Sequence, residues 1–233
     1  YYFTHYHTDS RDAHTRIFAG WRPLFIGGLL QKEHSLYAGF LCLFAALLIG
    51  IHFFLQLGAG ILWLVLAGGL VSIFFTPLML RGLKEPVIFI TFGPLCMLGV
   101  DFVLTQRFRL APIIASLPVG FLVTVVAYLK GARYRIAEEG GSEIILNLKP
   151  RLAGSLSMAA YLALVGAALS GLVSPWALLG LVTIPFSVLL FRRLQTQKKI
   201  NDYLWATVYS LVVFIATCLL MALGMFLSTL IPE

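Results

Sequence analysis

The stretch "LAPIIASLPVGFLVTVVAYLKGARYRIAEEGGSEIILNLKP" (110–150) changes character at its midpoint. Residues 110–129 are almost unbroken apolar; from Lys130 the chain turns polar and charged. A helix crossing hydrocarbon needs about 20 predominantly apolar residues, because lipid offers no partner to a free backbone N–H or C=O. The first half therefore reads as a membrane span and the second as a loop returned to water. That loop has the look of a place where charged chemistry once happened.

Six more apolar runs flank this one. Together the seven cover roughly 36–57, 60–80, 87–105, 110–129, 152–173, 175–191 and 203–230. They are continuous rather than alternating, which argues against strands. The whole chain agrees: 60% of its 233 residues are hydrophobic, the mean hydropathy is +0.93, and only 12% are charged. A soluble domain carries about 25% charged residues. The expectation is an all-α integral membrane protein of seven spans, with a 1–35 loop, four spans over 36–129, a 130–151 loop and three spans over 152–233.

Basic residues orient these spans. Of the 17 Lys and Arg, only Arg107 and Arg109 fall on one side; the rest crowd the other, which is expected to be cytoplasmic. The net charge of +7 is thus a topology signal, and no nucleic-acid partner is expected. Cys42, Cys96 and Cys218 sit singly in apolar runs and read as core or lipid-facing residues rather than a disulfide or metal framework. No signal peptide is visible, and a start at Tyr1 rather than Met leads us to expect further residues upstream.

Pro and Gly punctuate the spans. "SPW" (174–176) predicts a tight turn that makes the fifth and sixth spans antiparallel neighbours. "GPLCMLG" (93–99), Pro118 and Pro185 place breakers inside spans, where they either line a cavity or make ordinary kinks.

Three stretches resemble a known family. "PLMLRGLKEPVIFITFGPLCMLG" (77–99), "ASLPVGFLVTVVAYLKGARYR" (115–135) and "RIFAGWRPLFIGGLL" (16–30) are similar, in the right order, to elements of the UbiA superfamily of intramembrane prenyltransferases. The closest likeness is to the 1,4-dihydroxy-2-naphthoate polyprenyltransferase branch of menaquinone biosynthesis. The resemblance implies a bundle of nine helices, with the seven spans here as family helices three to nine and two more upstream of Tyr1. It also implies a bacterial inner membrane with both motif loops facing the cytoplasm.

In that family two acidic motifs hold Mg²⁺ ions that bind a prenyl diphosphate and draw off charge as the allylic C–O bond ionises. Laid on this chain, the second motif puts its Asn pair on Lys130 and Gly131, keeps Arg133, places Tyr134 where the first Asp belongs, and leaves Glu138 at the second. The first motif falls on Tyr2, Phe3, Tyr6 and Asp12, and only Asp12 is acidic; Asp9 would substitute if the register slipped. A protonated phenol, with an ordinary pKa of about 10, is a poor ligand for a hard cation. The implied function is therefore a catalytically degenerate member that binds an isoprenoid lipid, quinone or prenylated pigment, or serves as a subunit of a membrane complex. The alternative is an active Mg²⁺-dependent prenyltransferase acting on an aromatic quinone precursor through Asp12 and Glu138. No cofactor is expected beyond Mg²⁺ in that active form.

Arg16, Arg81, Lys84 and Arg133 are the candidates for a diphosphate or anionic headgroup; otherwise they are ordinary positive-inside residues. His5, His7, Asp9, Asp12 and His14 read as a weak transition-metal cluster or as a solvated loop. His52 reads as a hydrogen-bonded bundle histidine or as an axial ligand. Asp101 either contacts a proton or substrate hydroxyl or pairs with Arg107 or Arg109. With only these two ionisable groups inside spans, a transporter has little support.

Overall fold

A computed structural model describes residues 32–138, 150–196 and 200–230, which are helical apart from short turns and contain no strand. Six of the expected apolar runs become helices long and apolar enough to cross a membrane: Leu36–Leu57, Lys84–Thr105, Leu110–Lys130, Arg151–Leu169, Pro175–Gln195 and Trp205–Leu230. The run at 60–80 is also helical, with Gly60–Phe75 a shorter apolar helix.

The chain divides into two compact units, Tyr1–Arg81 and Gly82–Glu233. In the first, α1 (Lys32–Leu57) and α2 (Gly60–Leu80) form a hairpin. A Cβ at Gly50 would lie 3.2 Å from the Val65 side chain, so the two helices approach closely there. Large apolar side chains such as Phe40, Phe44, Leu55 and Trp63 are exposed along this pair, as suits helices solvated by lipid.

The second unit is built around α5 (Leu110–Glu138). Its antiparallel neighbour is one span in three pieces: α3 (Lys84–Ile90), a π-helical turn (Thr91–Leu95) and α4 (Cys96–Thr105). Pro94 has no N–H to give the carbonyl of residue 90, and the chain widens by a π turn at that point. Gly93 presses this turn onto α5: a Cβ there would lie 3.1 Å from the Gly120 Cα. The breaker thus makes a tight helix crossing rather than opening a cavity. Small residues at such crossings are how membrane helices gain dispersion contact where lipid supplies no hydrophobic drive.

On the other side of α5 lie α6 (Pro150–Leu169), a 3₁₀ helix (Pro175–Thr183), α7 (Ile184–Thr196) and α8 (Ile200–Leu230). The expected turn is present: Gly171 adopts φ 69°, the Ser174 hydroxyl accepts from the Trp176 N–H, and Pro175 opens the next helix. Tyr161 meets Ser187 and Thr183 while Leu164 lies beside Gly180, so the two strands of this hairpin run antiparallel, as "SPW" predicts. The sixth span differs from expectation in being 3₁₀ for its first nine residues. Pro185 cannot donate to the carbonyl of residue 181, which instead accepts the Ile184 N–H three residues on, and the α-helix starts from there.

Two buried clusters hold this unit together. Val125, Tyr128 and Leu129 of α5 pack on Ala153, Leu190, Leu194 and Ala206 near one end. Leu164, Ala167, Val173, Ala177 and Met221 pack toward the other. The 3₁₀ helix lies on α8 so closely that a Cβ at Gly224 would overlap the Trp176 carbonyl.

That contact sets a sign opposite to helix propensity. Gly→Ala inside a helix ordinarily stabilises by roughly 0.5–1 kcal/mol. We expect Gly99→Ala, where nothing lies within 4 Å, to follow that rule. Gly224→Ala is expected to destabilise by about 1–3 kcal/mol, because backbone must move. Denaturant unfolding in detergent micelles compares the two.

Candidate functional site

The polar end suggested by the motifs is only partly within the described residues. Tyr2, Phe3, Tyr6, Asp9, Asp12 and Arg16 lie outside them, as do His5, His7 and His14. Helix α5 runs on through Arg133 and Tyr134 to Glu138, so these positions belong to a helical extension rather than to the loop expected from Lys130 onward; their side chains lie outside the description. Tyr134 and Glu138 are one helical turn apart. Arg81 is exposed at the C-terminus of α2. Lys84 is half-buried, and its Nζ donates to the Ala127 carbonyl at 3.1 Å, which ties α3 to α5. Among the described residues no three His, Cys, Asp or Glu come together as a metal-binding group.

The intramembrane ionisable residues resolve differently. Asp101 is buried and engages Arg109 through both carboxylate oxygens, with Arg109 Nε donating at 3.0 Å and its Nη2 in contact with Oδ1. Of the two readings of Asp101, this is the ion pair, and Arg109 is the partner rather than Arg107. The bond to Asp101 raises the Arg109 pKa above its ordinary value, with Coulomb attraction adding to it. His52 corrects the expectation of a bonded bundle histidine: it is exposed on α1, and its ring meets the edge of Phe53. Among the described residues no hydrogen-bond partner faces it.

The most organised polar feature of the described residues was not singled out by sequence reasoning. Four hydroxyls line up between α6, the 3₁₀ helix, α7 and α8. The Tyr161 hydroxyl lies 2.9 Å from Thr183 Oγ1 and 2.9 Å from Ser187 Oγ, and Thr183 Oγ1 lies 2.7 Å from Thr217 Oγ1. Thr183 also reaches the Gly180 carbonyl and Thr217 the Val213 carbonyl, each at 2.7 Å. All four residues are buried, Thr217 at 1% exposure. In the sequence they are one hydroxyl in each of two apolar runs, Tyr161 and Thr217, and a pair four residues apart in a third, Thr183 and Ser187.

One end of this chain opens onto a groove between α6 and α7 with a volume of about 520 Å³. Met158, Leu162, Val165, Val188 and Phe191 line it with hydrocarbon, and Tyr161 and Ser187 form its polar spot. The other serines on its wall, Ser155 and Ser157, are turned back onto carbonyls of their own helix at Leu152 and Ala153. Ile184 also borders it, whereas its neighbour Pro185 is not one of the lining residues. Volume and lining both fall in the range of small-molecule sites, about 300–1,000 Å³ and mostly apolar with a few placed polar groups. A smaller cleft of about 310 Å³ lies between α7 and α8 beside Arg193, Trp205 and Tyr209.

Compared with family models, curated proteins and solved structures, the chain finds no match.

Removing the middle hydroxyl while keeping the shape tests how far the chain of hydroxyls acts as a unit. Thr183→Val removes one contact each from Tyr161 and Thr217, which keep Ser187 and the Val213 carbonyl, and we expect a loss of about 1 kcal/mol, within the range measured for hydrogen bonds between membrane helices. A double-mutant cycle with Tyr161→Phe is expected to show coupling of at least about 0.5 kcal/mol. Ser72→Ala, whose hydroxyl bonds only the Gly68 carbonyl of its own helix, is expected to be close to neutral.

Proposed function

We propose that this chain is a membrane-embedded binding protein, built on a prenyltransferase-like helical scaffold, that holds an isoprenoid lipid, quinone or prenylated pigment without transforming it. The observation carrying this reading is the groove between α6 and α7, apolar along its walls and marked by one hydroxyl pair at Tyr161 and Ser187. Such a surface suits a long apolar guest with a polar ring or head. It offers no charge to a diphosphate.

The donor set at the motif positions points the same way. Two Mg²⁺ ions require several hard anionic oxygens, and here Tyr6 and Tyr134 stand at positions where the resembling family carries Asp. Asp12 and Glu138 alone do not fit a two-metal site, so no prenyl transfer is assigned to this chain. On this reading the seven hydrophobic runs all lie in the membrane, the basic segments face the cytoplasm, and the exposed apolar faces of α1 and α2 meet lipid or a partner subunit.

Purification in mild detergent followed by solvent extraction and mass spectrometry is expected to yield a stoichiometric isoprenoid-type lipid. Met158→Trp, which fills the groove from an exposed position, is expected to reduce that lipid several-fold while the protein still folds. Incubation with a polyprenyl diphosphate, an aromatic acid and Mg²⁺ is expected to give no product. Metal-dependent product that disappears in Glu138→Gln would overturn the reading.

A further inference from the structure

We infer that the four-hydroxyl chain behind the groove reverses its direction of donation, so that Ser187 presents either a hydrogen-bond donor or an acceptor to the guest. The groove would then take an oxygenated ring in both its carbonyl and its hydroxyl form. This rests on the groove being a lipid-binding site, and deepens that reading by naming what it recognises.

The inference comes from counting protons. Ser187, Tyr161, Thr183 and Thr217 make three hydroxyl–hydroxyl contacts at 2.7–2.9 Å, and each hydroxyl has one proton to give. Satisfying all three contacts uses three protons and leaves a fourth, which goes to the Val213 carbonyl, the Gly180 carbonyl or the groove. In the first arrangement Ser187 donates to Tyr161, Tyr161 to Thr183 and Thr183 to Thr217, and the last proton goes to the Val213 carbonyl. Ser187 then shows the groove only lone pairs, which suit a guest hydroxyl.

In the second arrangement every donor turns round. Thr217 donates to Thr183, Thr183 to Tyr161 and Tyr161 to Ser187, and the Ser187 proton emerges into the groove. That suits a guest carbonyl. In a third arrangement Ser187 donates to Tyr161, Tyr161 and Thr217 both donate to Thr183, and the Thr183 proton goes to the Gly180 carbonyl, so Ser187 again shows the groove lone pairs. The chain therefore has complete states with Ser187 as acceptor and one with Ser187 as donor, related by rotation of hydroxyl hydrogens with no movement of heavy atoms.

Nothing else among the described residues competes for the Ser187 proton. Among the described residues Tyr161 is the only side-chain or backbone partner of that hydroxyl. The groove wall around it is hydrocarbon, which suits an uncharged ring better than a charged head.

The test uses the full chain in lipid nanodiscs and three rings of nearly equal size: 2-methyl-1,4-naphthoquinone, its hydroquinone kept under reducing conditions, and 2-methylnaphthalene, which has no oxygen. Binding is measured by calorimetry against empty discs. The wild-type chain is expected to hold both oxygenated rings roughly five- to tenfold more tightly than the hydrocarbon, the worth of one neutral hydrogen bond. Ser187→Ala is expected to bring both down to the hydrocarbon's level, and Ser187→Thr, which keeps a hydroxyl, to preserve most of the difference. If Ser187→Ala weakens only one oxidation state, or neither, the reversible chain is overturned while hydrocarbon binding leaves the groove reading standing. If none of the three rings binds, groove and chain fall together.

Discussion

In hydrocarbon every hydrogen-bonding group must find its partner within the protein. The second unit is organised by how it meets that requirement at Tyr161, Thr183, Ser187 and Thr217. These hydroxyls come from α6, the 3₁₀ helix, α7 and α8, and each is within hydrogen-bonding distance of another, so the four elements are held in one register. Close approach makes this possible. Gly180 brings the 3₁₀ helix against Leu164, Thr217 and Met221, and Gly224 admits the Trp176 carbonyl. Larger residues at either position would separate the helices and leave hydroxyls stranded in lipid. The nine-residue 3₁₀ segment is unusually long, and it ends at Thr183, the central member of the chain.

The same requirement explains the remaining polar groups of this unit. Thr91, Thr105 and Thr124 bond carbonyls four residues back in their own helices. Asp101, which has no such local solution, takes a guanidinium from the following turn. Lys84 extends to the Ala127 carbonyl. What distinguishes Ser187 is that it bonds Tyr161 behind the groove and also lines the groove itself. A binding role follows from that position more naturally than from the basic residues at the helix ends.

Much of the helical layout was legible in the sequence because lipid imposes one simple length rule. The apolar runs at 36–57, 110–129 and 203–230 became helices, and the turn at Ser174–Pro175 emerged where its residues indicate. Helix ends were less legible, since an apolar run marks where lipid stops rather than where hydrogen bonding stops. Helix α5 continues to Glu138 through "KGARYRIAE", whose Lys, Arg, Ala and Glu favour helix in water too. The 3₁₀ segment and the groove depend on contacts between distant residues, such as Gly180 with Met221, that no local pattern carries. Of the four hydroxyls only Thr183 and Ser187 share a helical spacing, four residues apart, and Tyr161 and Thr217 stand in separate apolar runs. Conversely, the motif positions that are easiest to see in the sequence, from Tyr2 to Asp12, lie outside the described residues.

The central claim is that this scaffold holds an apolar guest by its hydroxyl pair and performs no metal chemistry at its polar end. An electron cryo-microscopy map of the full chain in nanodiscs, with polyprenyl diphosphate and Mg²⁺ added, addresses both halves at once. The account predicts elongated density in the groove between α6 and α7, ending within hydrogen-bonding distance of Ser187. Paired divalent ions carrying diphosphate between Asp12 and Glu138, with the groove filled by protein, would contradict it.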